Sequence, residues 1–399
     1  MISVQEARDR VLAAARPPAT EIVMLSEAAG RTLAEPIVAK RSQPPADMSA
    51  MDGYAVRAAD AAAPGARLKV IGAVPAGRPF AGEVGPGEAV RIFTGGETPA
   101  GADAIVLQED AEADGDWVVF SEAAQLGRHI RRGGLDFVSG KSTIPAGVVM
   151  SPRHVALAAG MNAVWARVAR KPRVAILATG DEIRLPGDAL GPGQIIGSSG
   201  LGVSAYVTAC GGEPLVLDVA GDTTEALRAA AGQARGADIL VTLGGASVGD
   251  HDLVQAALGE EGLSVDFWRI AMRPGKPLMF GALGPQLVLG LPGNPVSTMV
   301  CGLLFLGPLI RRMLGRADAA PRTVRARLET AMAANDQRED YVRARLIDRA
   351  DGLAAAPFEI QDSSMMSVYA EADGLIVRPP HAPAAAAGDV VQVLPLDVC

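Results

Sequence analysis

Three strand-like runs in this chain end in glycine beside acids, amides or hydroxyls. In ILVTLGGASVGDHD (residues 239–252), Gly244, Gly245, Ser247 and Gly249 precede Asp250 and Asp252. Glycines let backbone amides approach an anion, Ser247 adds a hydroxyl, and the acids suit Mg2+ on a phosphate. A tight β-to-α turn with a solvated helix start accounts for the same string. In LVLGLPGNPVST (287–298), Pro292, Gly293 and Asn294 turn the chain from a strand into a long helix. Helix-start amides with Asn294 and Ser297 would make an anion site, and an ordinary capped helix has the same sequence. In VAILATGDEI (174–183), Thr179 and Gly180 precede Asp181 and Glu182. Parallel sheets bind ligands at the carboxyl ends of their strands, so a phosphate with a divalent ion would account for all three. Neither a Walker A string nor a clear G-x-G-x-x-G is present.

A fourth segment is cationic. FWRIAMRPGKPLMFG (267–281) places Arg269, Arg273 and Lys276 together, the last two on a turn stiffened by proline and glycine, with Pro277 following. That composition suits an oxyanion clamp, to which Arg343 and Arg345 could add. A solvated basic turn is the simpler account. Asp52 in MSAMDGYAV (48–56), Thr94 in RIFTGGETPAGADAIV (91–106) and Asp136 in RRGGLDFVSG (131–140) are each explained locally by turns.

The elements that must position these residues follow from periodicity. Val4, Ala7, Val11 and Leu12 recur at helical spacing until Pro17-Pro18. A second helical piece is expected over 25–33. Short strands at 68–71, 89–93, 104–107 and 117–120, separated by Gly and Pro, make a small β unit. A helix over 152–160 is expected to rejoin the N-terminal segment, so that the β unit is an insertion. From 171 to about 316, strands at 173–178, 214–219, 238–242 and 287–291 alternate with helices at 200–210, 223–235, 252–258 and 296–314, which signals a parallel sheet with crossover helices. The remainder alternates as β.

Composition sets the outer bounds. The chain has 399 residues, enough for two to three domains, with a net charge of -8, which argues against a general nucleic-acid binder. Three scattered cysteines and four scattered histidines give no zinc pattern and no disulfide framework. No basic n-region precedes an apolar stretch at the N-terminus, and the most apolar run, 296–310, is shorter than a membrane span and contains Pro308. A cytoplasmic protein is expected.

Taken together, SAMDGYAV, RIFTGGETPAGADAIV, ATGDEI with PGQII, LGGASVGDHD, AMRPGKPLMFG and LPGNPVS resemble, in order, the MoeA family of molybdopterin molybdenumtransferases, related to the E domain of gephyrin. They cover about 47–297, and ADGLIV near the C-terminus also fits. The resemblance implies a multi-domain α/β plus β chain. An elongated, dimerising domain would comprise 1–46 with 130–168, and an inserted β domain 47–129. A three-layer αβα domain with a mostly parallel sheet would span 169–318, and a C-terminal β-barrel 319–399. It implies a homodimer, transient contact with a molybdopterin adenylyltransferase, and acceptor molybdoenzymes or their chaperones as recipients.

The resemblance further implies a reaction. Adenylylated molybdopterin and molybdate are the substrates, Mg2+ is required, and AMP is released. Asp52 would act on the partner's site, with Thr94 and Asp136 as further polar positions. Glu182, Asp222 and Asp252 would surround the nucleotide phosphate and Mg2+. Arg273, Lys276, Pro277, Arg343 and Ser363 would line the molybdate pocket, and Gly244, Gly245, Ser247, Gly249 and 292–294 would hold the substrate. Arg269 and Arg273 stand where lysine is common, GSS at 197–199 where an acid and asparagine are common, and Asp362 where glycine is usual. A non-catalytic scaffold or a specialised paralogue on the same fold is the alternative.

Overall fold

The computed structural model describes residues 1–244 and 253–396. The chain forms two compact units. One comprises residues 1–21, 30–34 and 168 onward, and the other 22–29 and 35–167.

The first unit is built on a six-stranded sheet. Its strands are β1 (Arg173–Ala178), β2 (Glu213–Val216), β3 (Ile239–Leu243), β4 (Leu263–Trp268), β5 (Met279–Leu283) and β6 (Gln286–Leu291), in the order β2-β1-β3-β6-β5-β4. Strands β2, β1, β3 and β6 are parallel, while β5 and β4 add an antiparallel edge. Alternate residues serve opposite faces, as the two-residue strand period requires. Val174, Ile176, Ile239, Val241, Leu287 and Leu289 pack one core, and Ala175, Leu177, Leu240 and Val288 the other. Because both faces are covered, these strands read as continuous apolar runs.

Helix α1 (Val4–Ala13) is capped by Ser3 and buries Val4, Ala7 and Val11 in the first of these cores. Helix α2 (Ser199–Ala209) packs there too. Helices α3 (Thr224–Gln233) and α4 (Leu253–Glu260) cover the opposite face through Leu227, Ala230, Val254 and Leu258. Helix α5 runs over Pro295–Met313, close to the 296–314 expected from the sequence, and continues through Pro308 by way of a π turn at Gly302–Leu306. It is long and apolar enough to cross a membrane, but 89% of its apolar window is buried inside the fold, as in a core helix. Cys301 is free and buried, whereas Cys210 is disulfide-bonded, a cross-link the scattered cysteines do not announce.

The same unit ends in a closed barrel of five strands: β7 (Val324–Leu328), β8 (Glu339–Arg349), β9 (Gly352–Pro357), β10 (Gly374–Arg378) and β11 (Val390–Pro395). Its order β8-β9-β7-β11-β10 is closed by β8–β10 pairing. A short helix α6 (Met366–Glu371) precedes β10.

The second unit holds a six-stranded sheet, Ala104–Leu107, Gly53–Val56, Glu88–Ile92, Arg67–Val74, Trp117–Phe120 and Ala111–Asp114 in that spatial order. The chain segments on either side of it pair with each other. Ile37–Val38 lies against Ser142–Ile144, Met48–Ser49 against Ile130–Arg131, and Gln43 bridges Phe137. The helix Pro152–Gly160 forms where expected, with a capping box between Ser151 and His154. The helix expected over 25–33 shrinks to the single turn Leu25–Glu27, after which Gly30 takes a positive φ and breaks the pattern.

Candidate functional site

The strand order of the first unit reverses at β1, from which the chain first runs outward to β2 and then across to β3 and β6. Such a switch point leaves a crevice at the carboxyl ends of the strands. A cavity of about 820 Å3 occupies that position. Thr179 after β1, Gly244 after β3 and Pro292 to Asn294 after β6 line it, with Glu182 beside them. Thr179 N donates to Leu243 O at 3.1 Å and Gly244 N to Leu291 O at 3.2 Å, tying the three strand ends together. Gly244 has φ +94°, a conformation that favours glycine, and a Cβ there would crowd Thr179 Oγ1 at 3.1 Å.

A second wall is apolar. Ile183 and Arg184 pair with Ile195 and Ile196, closing an excursion that brings Leu185, Ile195 and Ile196 to the cavity. Ser198, Ser199 and Gly200 at the start of α2 face it as well. PGQII carries part of the family resemblance and GSS is a departure from it, but nothing in the sequence assigns Leu185, Ile195 or Ile196 a part in the site.

The acids sit on neighbouring loops. Thr179 bridges Ala220, Gly180 N donates to Ala220 O at 3.1 Å, and Asp222 N donates to Asp181 Oδ1 at 3.2 Å. Glu182 and Asp222 are both exposed. Asp181 thus organises the loop that carries Asp222, a role its place in ATGDEI hinted at. Among the described residues no three histidines, cysteines or carboxylates gather into a metal-holding group. Mg2+ does not need one, since it keeps several waters and takes one or two carboxylates plus substrate phosphates. Glu182 and Asp222 on adjacent loops fit that requirement. Gly245, Ser247, Gly249 and Asp252 lie outside the described residues.

The helix start after β6 is less open than the sequence suggests. Pro295 has no N–H, and Val296 N already donates to Ser363 O at 3.1 Å. Asn294 makes no side-chain cap and instead donates through Nδ2 to Ser363 Oγ at 3.0 Å. The 361–364 loop is therefore docked on this helix, and Ser364 reaches the cavity. The Asp362 carboxylate accepts from Ser364 N at 2.8 Å and Ser364 Oγ at 2.6 Å, and those bonds lower its pKa below the usual value. The extra acid thus tightens its own turn.

The expected basic cluster divides. Pro277 lines the cavity, and Lys276 beside it is exposed, with no ion pair among the described residues. Arg273 is committed elsewhere. Its guanidinium pairs with Asp340, lies 3.6 Å from Asp336 and contacts Asn335 Oδ1 at 3.5 Å. Arg343 is 2% exposed, with Nε on Gln361 Oε1 at 3.1 Å and one terminal nitrogen on Asp362 O at 2.8 Å. Burial lowers its pKa. Both arginines brace the loops around Lys276 and Ser363, an arrangement set by partners 18 to 67 residues away in the chain. Arg269 is exposed with φ +80° and stacks over Trp268 at 5.4 Å.

In the second unit, Asp52 and Thr94 come together. Asp52 Oδ1 accepts from Thr94 N at 2.7 Å and Thr94 Oγ1 at 2.8 Å, and these bonds lower the carboxyl pKa, the backbone bond most. Gly53 is obligatory beside it, because a Cβ would fall 2.0 Å from Val106 O. Asp136 is exposed, and its amide donates to Gln43 O at 2.9 Å.

Comparison with known proteins agrees with this architecture along the whole chain. Family models match in three stretches: the MoeA N-terminal region (domain I and II) over residues 2–161, a "probable molybdopterin binding domain" over 175–312, and the MoeA C-terminal region (domain IV) over 325–396. The molybdopterin molybdenumtransferase of Nostoc sp. is 36% identical over 332 residues, 81% of this chain and 76% of that one. Molybdopterin molybdenumtransferase 2 of Mycobacterium tuberculosis is 33% identical over 403 residues, 98% and 99% of the two chains. The crystal structure of a molybdopterin biosynthesis MoeA protein from Pyrococcus horikoshii superposes with a TM-score of 0.87 at 32% identity, covering 99% of each chain. This chain belongs to the MoeA family.

Proposed function

We propose that this protein is a molybdopterin molybdenumtransferase of molybdenum cofactor biosynthesis. In this reading it takes adenylylated molybdopterin and molybdate, splits the phosphoanhydride and releases AMP. The observation that carries the reading is the strand-end cavity, with carboxylates on two adjacent loops and, beside one wall, a lysine that has no ion pair among the described residues. Its aliphatic wall suits a planar heterocycle and its glycine-lined floor a phosphate.

Glu182 and Asp222, with Asp252, would hold Mg2+, which when bound would neutralise the phosphoanhydride as it breaks. The Gly244 and Pro292 to Asn294 turns hold the substrate phosphate against the strand ends. Lys276 attracts the molybdate dianion, and Pro277 shapes the wall beside it. Arg273 and Arg343 act by keeping the 273–277 and 361–364 loops in place, so that Lys276 and Ser363 stay where they are needed. Asp52, set by Thr94, serves the site of a second copy, and Asp136 is a further polar position of that unit. The dimer is supported by an exposed apolar group in the second unit: Ile22, Met24, Val164 and Trp165 are 60, 47, 51 and 56% exposed. The adenylyltransferase and the acceptor enzymes would be transient partners.

The test is AMP release from adenylylated molybdopterin with Mg2+, with and without molybdate. Molybdate-dependent release is expected, and Asp252→Ala should abolish it while the fold persists. A folded sample that releases no AMP would overturn the assignment in favour of a scaffold on the same fold.

A further inference from the structure

A second cavity lies away from the strand ends, between the C-terminal turn of α5, the 318–322 connection and the end of β11. It measures about 230 Å3, nearly eight times one water's share of liquid volume of about 30 Å3. Arg311, Asp318 and Arg322 line it together with Leu303, Leu394 and Pro321.

Among the described residues its charges do not balance. Arg311 is 8% exposed, yet it forms no ion pair among the described residues. Its Nε makes one long bond to Gly307 O, at 3.4 Å. The phenol of Tyr206 lies within its electrostatic reach and is buried, with its pKa raised chiefly by that burial. The one carboxylate among the residues lining the cavity, Asp318, is held by Arg316 through bonds of 2.9 and 2.8 Å, which chiefly lower its pKa, and the charge of Arg311 lowers it further, so that one carboxylate is shared between two arginines. Arg322 is exposed at the cavity and likewise has no ion pair among the described residues. Residues 311–322 thus carry Arg311, Arg312, Arg316 and Arg322 against Asp318, in a chain of net charge -8.

Burying a cation whose nearest described carboxylate is hydrogen-bonded to another arginine is costly, and a guanidinium presents a fork that matches a carboxylate. Leu303 and Leu394, 7% and 3% exposed, make the other side aliphatic. We propose that this cavity binds a small organic carboxylate, its head on Arg311 and Arg322 and a short aliphatic body against Leu303, Leu394 and Pro321. The site is separate from the proposed active site and does not depend on that function.

The experiment is ligand-observed NMR on the whole protein with acetate, propionate, butyrate and valerate at constant ionic strength, with inorganic phosphate and n-butanol as controls. Affinity should rise about threefold to fourfold per methylene. Arg322→Gln, an exposed change that should not disturb folding, should weaken butyrate about tenfold or more, and Arg311→Gln should do the same. Lys276→Ala should leave it unchanged. No saturable carboxylate binding, binding that survives both arginine changes, or phosphate binding as tightly as valerate would each overturn the proposal.

Discussion

Arg273 and Lys276 share one turn but differ in their surroundings. Lys276 is exposed and has no ion pair among the described residues, so its charge is available to a ligand. Lys276→Ala should raise the molybdate KM at least about tenfold, with thermal stability unchanged to within about 0.5 kcal/mol. Arg273 faces Asp340, which is 6% exposed and whose Oδ1 has no hydrogen-bond partner among the described residues. Arg273→Met therefore leaves a buried carboxylate uncompensated, and a loss of about 2 kcal/mol is expected in denaturant unfolding. A changed molybdate KM with unchanged stability would instead make Arg273 a ligand. Nearby Asp336 is held down to about 2, first by hydrogen bonds from Arg338 and then by the charges of Arg338 and Arg273. A carboxylate depressed by folding contributes stability that is full above its unfolded pKa of about 3.9 and is lost as pH falls through the folded value. Carbon-detected NMR should find Asp336 still ionised at pH 3, where an unperturbed aspartate is mostly protonated.

At the scale of elements, the site depends on loops seated on strand ends. The 361–364 loop is held on α5 by the Asn294 to Ser363 bond and by Val296 N on Ser363 O. A double-mutant cycle with Asn294→Ala and Ser363→Ala should show coupling of about 0.5–1.5 kcal/mol, and independent effects would mean that the loop is held by its backbone alone. Gly244→Ala should cost about 1–2 kcal/mol and displace Thr179, because the new Cβ meets both an unfavourable φ and the Thr179 hydroxyl. The strands beneath these loops were legible in the sequence, since β1, β3 and β6 are buried on both faces and stay apolar throughout. The edge pair β4 and β5 was not. Strand β4 does alternate from Leu263 to Phe267, but the run is short, and a register shift between Val265 and Phe267 interrupts its pairing. Glu182 and Pro277 could be singled out because short strings carry them. The bracing of Arg343 by Gln361 could not, because nothing local marks a contact across a loop of that length.

On the scale of the whole molecule, the candidate residues are divided between two folded units. The cavity, Glu182, Asp222 and Lys276 belong to the first, and Asp52 with Thr94 to the second. If Asp52 serves the cavity of a second copy, two defects placed in different chains can complement. In a mixed dimer of Asp52→Ala and Lys276→Ala chains, one site combines both defects and the other combines neither. Random pairing makes half of the dimers mixed, so an equimolar co-expressed sample should recover about a quarter of wild-type turnover per site when assayed at molybdate well below the Lys276→Ala KM, where each parent is nearly inactive. Recovery should vanish when the two variants are purified separately and assayed before their subunits exchange. If Asp52 instead serves the cavity of its own chain, every site in the mixture carries one defect and no recovery follows. A mixed sample as inactive as its parents, with mixed dimers confirmed by native mass spectrometry, would therefore place the whole site within one chain and remove the catalytic need for the dimer.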